Sequence, residues 1–311
     1  MTRSDFVNEL AQRFDIQRRD IIEKDVILHL ILFDLSKDDF FSSNFAFKGG
    51  TCLIKCYYGY KRFSEDIDFT WKKQEDFVEA SQKQIRKKLS TLIDRTGKVF
   101  EGIASNRRLE FKCRKSDRNY VELGGSNKFC TFKVWYDSEI LNRRSFVKVQ
   151  INFVENMCYS LKRRRVRSLL ATKDAQLMVL FPEYDWYTAR ISLDAYDVRE
   201  ILSEKVRALL TRWGTKARDF VDVYLISKEY GLKPQEVESC IIRKIIFATG
   251  LYSRFRSNLK SKEALLRQGR IFEWGQERSL LLSGFDEADF YSFLSGFDNF
   301  RTRMIKSTLI N

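Results

Sequence analysis

The sequence predicts an α+β protein: a mixed sheet with helices, followed by a mostly helical C-terminal domain. Three observations carry this expectation. Two helical patterns fill residues 4–36. The second has Ile21, Ile22, Val26, Ile27, Leu30, Ile31 and Leu35 at helix spacing and starts near Arg18 and Arg19. From Arg107 the pattern turns to short alternating segments near 109–112, 120–123, 129–136 and 146–153, with Gly124-Gly125 between two of them, which read as antiparallel strands. Beyond Tyr230 the chain reads as helices to its end. Between these lies residues 74–97, one helix on the spacing of Phe77, Ile85, Leu89, Leu92 and Ile93, with Gly97 as its stop and a basic opposite face.

The totals bound the rest. With 311 residues, 44% hydrophobic residues and two prolines, the chain is expected to be compact, as one elaborated domain or two associated ones. The 56 basic against 42 acidic residues leave a net charge of +14, which favours a polyanionic partner. The six cysteines have no paired CxxC spacing and there is one histidine, His29, so buried free thiols are expected rather than a zinc site. His29 itself reads as a helix residue rather than a base. No apolar run approaches the ~20 residues needed to span a bilayer, and a cytoplasmic protein without a membrane partner is expected.

The chemistry concentrates in residues 45–71. The small apolar segment 45–47 reaches Gly49 and Gly50, then Thr51, then the apolar run of Leu53, Ile54, Tyr57 and Tyr58. That order reads as strand, tight turn, helix. The glycines permit positive φ and a close approach, and Thr51 can cap a helix whose first amides face an anion such as phosphate. After it, Ser64-Glu65-Asp66-Ile67-Asp68-Phe69-Thr70-Trp71 alternates carboxylates with apolar residues, so Asp66 and Asp68 point the same way in a strand. Two carboxylates beside a triphosphate-sized helix start suit Mg²⁺ and a nucleotide. Alone, an Asp-x-Asp is more often a solvated strand edge and a Gly-Gly a turn; the combination in this order is more specific.

Gly-Gly-Thr with Lys55 four residues on, followed by Arg62-Phe-Ser-Glu-Asp-Ile-Asp68, resembles the signature of the AbiEii/MenT-like nucleotidyltransferases. These are toxins of toxin–antitoxin systems within the polymerase-β-like superfamily. The agreement runs in order from Glu23-Lys24-Asp25 to Lys205 and Arg218-Asp219. The resemblance implies a polymerase-β-like nucleotidyltransferase core at 1–160 and a helical domain at 161–311 that contributes Lys205 and Asp219 to the site. It further implies transfer of a nucleoside monophosphate from an NTP to an RNA acceptor such as a tRNA 3′ end, with Mg²⁺, and a cognate antitoxin. Asp66 and Asp68 would hold the metal and act with Lys205 and Asp219. Gly49, Gly50, Thr51, Lys55, Arg62, Ser64 and Arg218 would bind the nucleotide, with Arg207, Arg212 and Asp222 as companions.

One departure stands out. Related sequences commonly carry a third acid on a later strand, where this chain has Lys148, Gln150 and Asn152. Either one metal at Asp66 and Asp68 suffices, the preferred reading, or Glu155 supplies the missing carboxylate. The run Lys162, Arg163, Arg164, Arg165 and Arg167 is either a solvated face or an RNA contact. Two other functions stay open: nucleotidylation of a protein hydroxyl, and a catalytically degenerate RNA-binding or regulatory protein.

Overall fold

The computed structural model describes residues 1–78, 80–170, 174–214, 216–267, 272–282 and 285–310. They form two compact units, Met1–Glu155 with Leu161–Ala195, and Asn156–Ser160 with Tyr196–Asn311. In the first, α1 (Arg3–Arg13), α2 (Arg19–Lys37) and α3 (Asp39–Asn44) lead into β1 (Phe45–Lys48). The short α4 (Gly49–Leu53) runs straight into a π-helical turn at Ile54–Tyr58, and β2 (Asp66–Trp71) follows. Next come α5 (Gln82–Arg107), β3 (Val121–Gly124), β4 (Phe129–Ser138), β5 (Arg143–Asn152), β6 (Lys162–Val166), α6 (Ala175–Leu180) and β7 (Ile191–Ala195). Among the described residues the strands form one seven-stranded sheet in the order β3-β4-β5-β2-β1-β7-β6. The β2/β5 and β1/β7 pairs are parallel and the remainder antiparallel, so the sheet is mixed as expected.

Strand alternation gives this sheet two unlike faces. Phe47, Ile67, Phe69, Phe132, Val149 and Ile151 point one way and are buried. Each such side chain contributes roughly 1.5–3 kcal/mol on burial. Asp66, Asp68, Lys148 and Gln150 point the other way and are half-buried. A one-residue slip would exchange the two sets, so the apolar core fixes which residues the polar face presents.

Three elements depart from the sequence expectation. The sheet continues past residue 160, because β6 and β7 extend it beyond β1, and the first unit therefore ends at Ala195. The helix read over 74–97 is a 3₁₀ turn at Gln74–Phe77 and then α5, opened by a Ser81/Gln84 capping box and carried through Gly97 to Arg107. Gly97 serves packing: a Cβ there would lie 1.9 Å from the Cys113 sulfur. The strand expected near 109–112 is a single bridge between Glu110 and Trp135.

α2 is buried on nearly every side, and its charged residues Glu23, Lys24, Asp25 and Asp34 are paired within the protein. Glu23 accepts from Arg3 Nε at 2.9 Å and from the Glu139 amide at 2.8 Å, while Lys24 pairs with Glu65 at 3.0 Å. His29 is fully buried; burial, and then the charge of Lys55, push its pKa well below the ordinary value. The folded state therefore holds a neutral imidazole while the unfolded chain takes up a proton below about pH 6.5. Stability should rise with pH up to that value and level off above it, by at most about 1.4 kcal/mol per unit. Urea melts of the wild type and His29→Leu between pH 5 and 7 check this; an unchanged slope in the variant contradicts it.

The second unit is helical as expected: α7 (Val198–Thr211), α8 (Ala217–Tyr230), α9 (Glu238–Leu251), α10 (Ser253–Arg267) and α11 (Glu287–Ile310). Ile201, Val206, Phe220, Val223, Ile241, Ile245 and Met304 are among its buried residues. α8 ends at Gly231, whose φ of +64° suits glycine at a helix stop. Within this unit Lys244 and Glu200 form a buried ion pair, 2.5 Å apart, and the same carboxylate accepts from the amides of Cys158 and Tyr159 at 2.8 Å. Cys158 and Cys240 form a disulfide, which corrects the expectation of free thiols for that pair; spacing alone could not reveal it, since 82 residues separate them. Cys52, Cys56, Cys113 and Cys130 are free. Among the described residues no helix is long and apolar enough to cross a membrane.

Candidate nucleotide site

The polar face of the sheet is centred on β2. Asp66 and Asp68 lie on it, one strand repeat apart and half-buried. Directly behind them β1 ends and the chain turns. Gly49 has a φ of +77°, and a Cβ built on it would lie 2.2 Å from Asp68 Oδ2. This position therefore needs glycine twice over, for its backbone and for the carboxylate pressed against it. A Cβ on Gly50 would meet Arg62 Nη2 at 2.5 Å and Ser64 Oγ at 3.5 Å. Gly49, Gly50, Arg62, Ser64 and Asp68 are thus one cluster. Arg62 is buried, its Nη1 donating to the Phe63 carbonyl at 2.7 Å, so it underlies the turn.

Thr51 has a different task from the cap that the sequence suggested. Lys48 occupies the cap position without a side-chain cap bond, and the Thr51 hydroxyl donates to the Asp66 carbonyl. It ties the helix start to the acidic strand. Lys55 also differs from expectation: it has 0% exposure and lies 2.9 Å from Asp25. Its ammonium donates to Tyr60 Oη, and the Tyr60 and Tyr187 hydroxyls donate to Asp25 at 2.8 and 3.3 Å. Burial pulls Lys55 below its ordinary pKa against the opposing effect of Asp25, and pushes both tyrosines up. Helix spacing alone cannot say that this lysine turns inward.

Parallel pairing places Lys148 beside Asp66 and Gln150 beside Asp68, so no third acid stands at those positions. Glu155 is occupied elsewhere: it pairs with Lys48 at 3.0 Å and accepts from Asn152 Nδ2 at 3.1 Å. In the basic run, Lys162, Arg163, Arg164 and Arg165 are exposed on β6, an edge strand. Arg163 pairs with Asp194 at 3.3 Å, Arg164 lies 4.8 Å over the Tyr57 ring, and Arg167 donates to the Tyr57 carbonyl at 3.0 Å.

In the second unit Lys205 is held by Asp219 at 2.6 Å and Asp222 at 2.8 Å, and Arg212 reaches Asp219 at 3.0 Å. Burial raises the Asp219 pKa, but Lys205 and Arg212 outweigh it and hold the carboxyl well below the usual range. Arg218 is half-buried at the start of α8 and Arg207 lies on α7. The companions Arg212 and Asp222 therefore join Lys205 and Asp219 in one ion-pair cluster.

The seven strands and the helices of the first unit make an α+β fold, with the acidic strand of its mixed sheet beside a glycine turn. The sequence profile described as "Nucleotidyl transferase AbiEii toxin, Type IV TA system" matches residues 30–298, and the chain belongs to this family. It is similar to the solved structure of MenT4, a nucleotidyltransferase toxin from Mycobacterium tuberculosis H37Rv, with a TM-score of 0.58, 15% identity, and 98% of this chain and 90% of that one covered. A lesser likeness, TM-score 0.45 at 14% identity over 94% and 95% of the two chains, is to JHP933 from Helicobacter pylori. No curated protein sequence matches the chain. The protein is accordingly a nucleotidyltransferase, with an NTP substrate and an antitoxin partner implied by its family.

Proposed function

We propose that the protein transfers a nucleoside monophosphate from an NTP to an RNA hydroxyl, at a tRNA 3′ end, with Mg²⁺ and release of pyrophosphate. Blocking that end would stop translation, as a toxin requires. The observation that carries the reading is the pairing of Asp66 and Asp68 on one strand face with Gly49 pressed against Asp68. The donor set fits a hard divalent cation: two half-buried carboxylates on one face, at a position where a side chain on residue 49 would intrude. Mg²⁺ commonly takes one or two carboxylates together with phosphate oxygens. Bound there, it would offset phosphate charge as a Lewis acid. One metal is our reading, because Glu155 is paired with Lys48.

The chain's own residues bind and orient. The Gly49–Gly50 turn lets Asp68 and Arg62 pack against its backbone, Ser64 borders it, and Arg62 beneath adds positive charge for a phosphate. In the second unit we assign Lys205, oriented by Asp219 and Asp222, as a point cation suited to triphosphate, with Arg218 as a further charge on α8. Catalysis of this kind is mainly positioning and electrostatic stabilisation. The RNA acceptor rests on the net charge of +14 and on the exposed basic edge strand β6.

The test supplies each labelled NTP with Mg²⁺, total tRNA and cell protein, using the wild type and Asp66→Ala/Asp68→Ala. Label in tRNA that disappears in the variant is expected. Label in protein instead would make the enzyme a protein nucleotidylating one, and no label under any condition would leave an RNA-binding or regulatory protein.

A further inference from the structure

The face that carries Asp66 and Asp68 continues across β5 and β4. Register sets Lys148 beside Asp66, then Lys133 beside Lys148 and Trp135 beside Phe146. The Trp135 and Phe146 ring centroids are 4.7 Å apart. The Arg144 guanidinium lies 4.9 Å over Trp135, and the ammonium groups of Lys133 and Lys148 each lie 5.7 Å over Phe146. Trp135 Nε1 donates to the Asn119 carbonyl at 2.7 Å, which fixes the indole plane. Val134, Val147 and Val149 take the opposite, buried side, so the core holds the aromatic and basic residues outward. Two acids accompany them, Glu110 at Arg144 and Glu122 at Lys133.

We propose that this β4–β5 face is the track for the acceptor: an unpaired nucleic-acid strand whose bases stack on Phe146 and Trp135 and whose phosphates meet Lys148 and Arg144. The proposal rests on the RNA-acceptor reading above and gives the acceptor end a surface apart from the basic edge strand β6. Alternating rings and cations match the alternation of base and phosphate, and aromatic platforms on a sheet serve unpaired bases, since a duplex hides their faces. Strands lie ~4.8 Å apart, so β4 is roughly 10 Å from β2, within reach of the first nucleotides behind a reacting end. β6, with its arginines, is at the other edge of the sheet. The acceptor end is thus assigned to a surface that the basic run does not include.

The experiment measures equilibrium binding of a labelled single-stranded RNA of ~10 nucleotides to the full chain by fluorescence anisotropy, with NTP binding measured separately and thermal melting as a fold control. Phe146→Leu should weaken RNA binding about 5-fold or more, with Phe146→Tyr restoring it. Lys148→Gln and Arg144→Gln together should flatten the salt dependence by about 1.4 in log–log slope. NTP binding should be unchanged in the Phe146 variants. Should Phe146→Leu fail to fold, the Lys148 and Arg144 variants decide. If RNA binds the wild type and these variants equally, the track is wrong and the RNA reading survives. If the wild type binds no RNA, both fall. If the variants keep RNA but lose a protein antitoxin, the face is a protein interface and the proposal is overturned.

Discussion

Asp68→Asn should lower nucleotide transfer by on the order of 10²–10³-fold, the usual cost of removing one electrostatic contributor from a site of this kind. The substitution keeps the side-chain shape and removes the charge. Asp68 is half-buried at the mouth of the glycine turn, where a Cβ on residue 49 would lie 2.2 Å from its Oδ2. The fold should persist, because Ile67 and Phe69 on the opposite face hold β2 in the core. Asp66→Asn should cost a comparable factor, and the double variant far less than the product of the two, since the pair acts as one unit. Single-turnover transfer at saturating NTP, with thermal melting alongside, measures this. Undiminished transfer by Asp68→Asn would remove the acidic strand from the site.

The second large effect concerns stability. Asp25→Ala should destabilise the first unit by about 3–5 kcal/mol, because it leaves the Lys55 ammonium buried without its counter-charge. Against a total of roughly 5–15 kcal/mol for a natural protein this is a severe loss. Asp25→Leu/Lys55→Met, which removes both charges, should stand much closer to the wild type, since replacing a buried pair by apolar groups is often neutral. Denaturant melts of the single and double variants give the comparison. If Lys55→Met melts like the wild type and only raises the KM for NTP, Lys55 belongs to the nucleotide after all.

Much of the site was legible in residues 45–71. Two glycines at a strand end, then acids two apart, specify a turn and a shared face by local geometry alone, and the structure keeps Gly49, Gly50, Arg62, Ser64 and Asp68 together. The direction of Lys55 was not legible. Lys55 and the glycine turn are separated by about one helical turn, and only the packing of Asp25, Tyr60 and Tyr187 decides that the ammonium faces inward. Thr51 is a similar case, since its partner is the Asp66 carbonyl rather than its own helix. The Cys158–Cys240 disulfide and the Glu200–Lys244 pair depend on contacts across long stretches of chain, for which the sequence offers no spacing signal.

The sequence by itself determined the α+β class, the family, the acidic strand and the absence of a carboxylate at Lys148 and Gln150. Those follow from residue type and period, which are local properties. Only the tertiary structure decided where the sheet ends, because β6 and β7 join it through pairing with a strand more than a hundred residues earlier. It alone put Lys148 beside Asp66 and Trp135 beside Phe146, since register between strands is set by how the buried face packs.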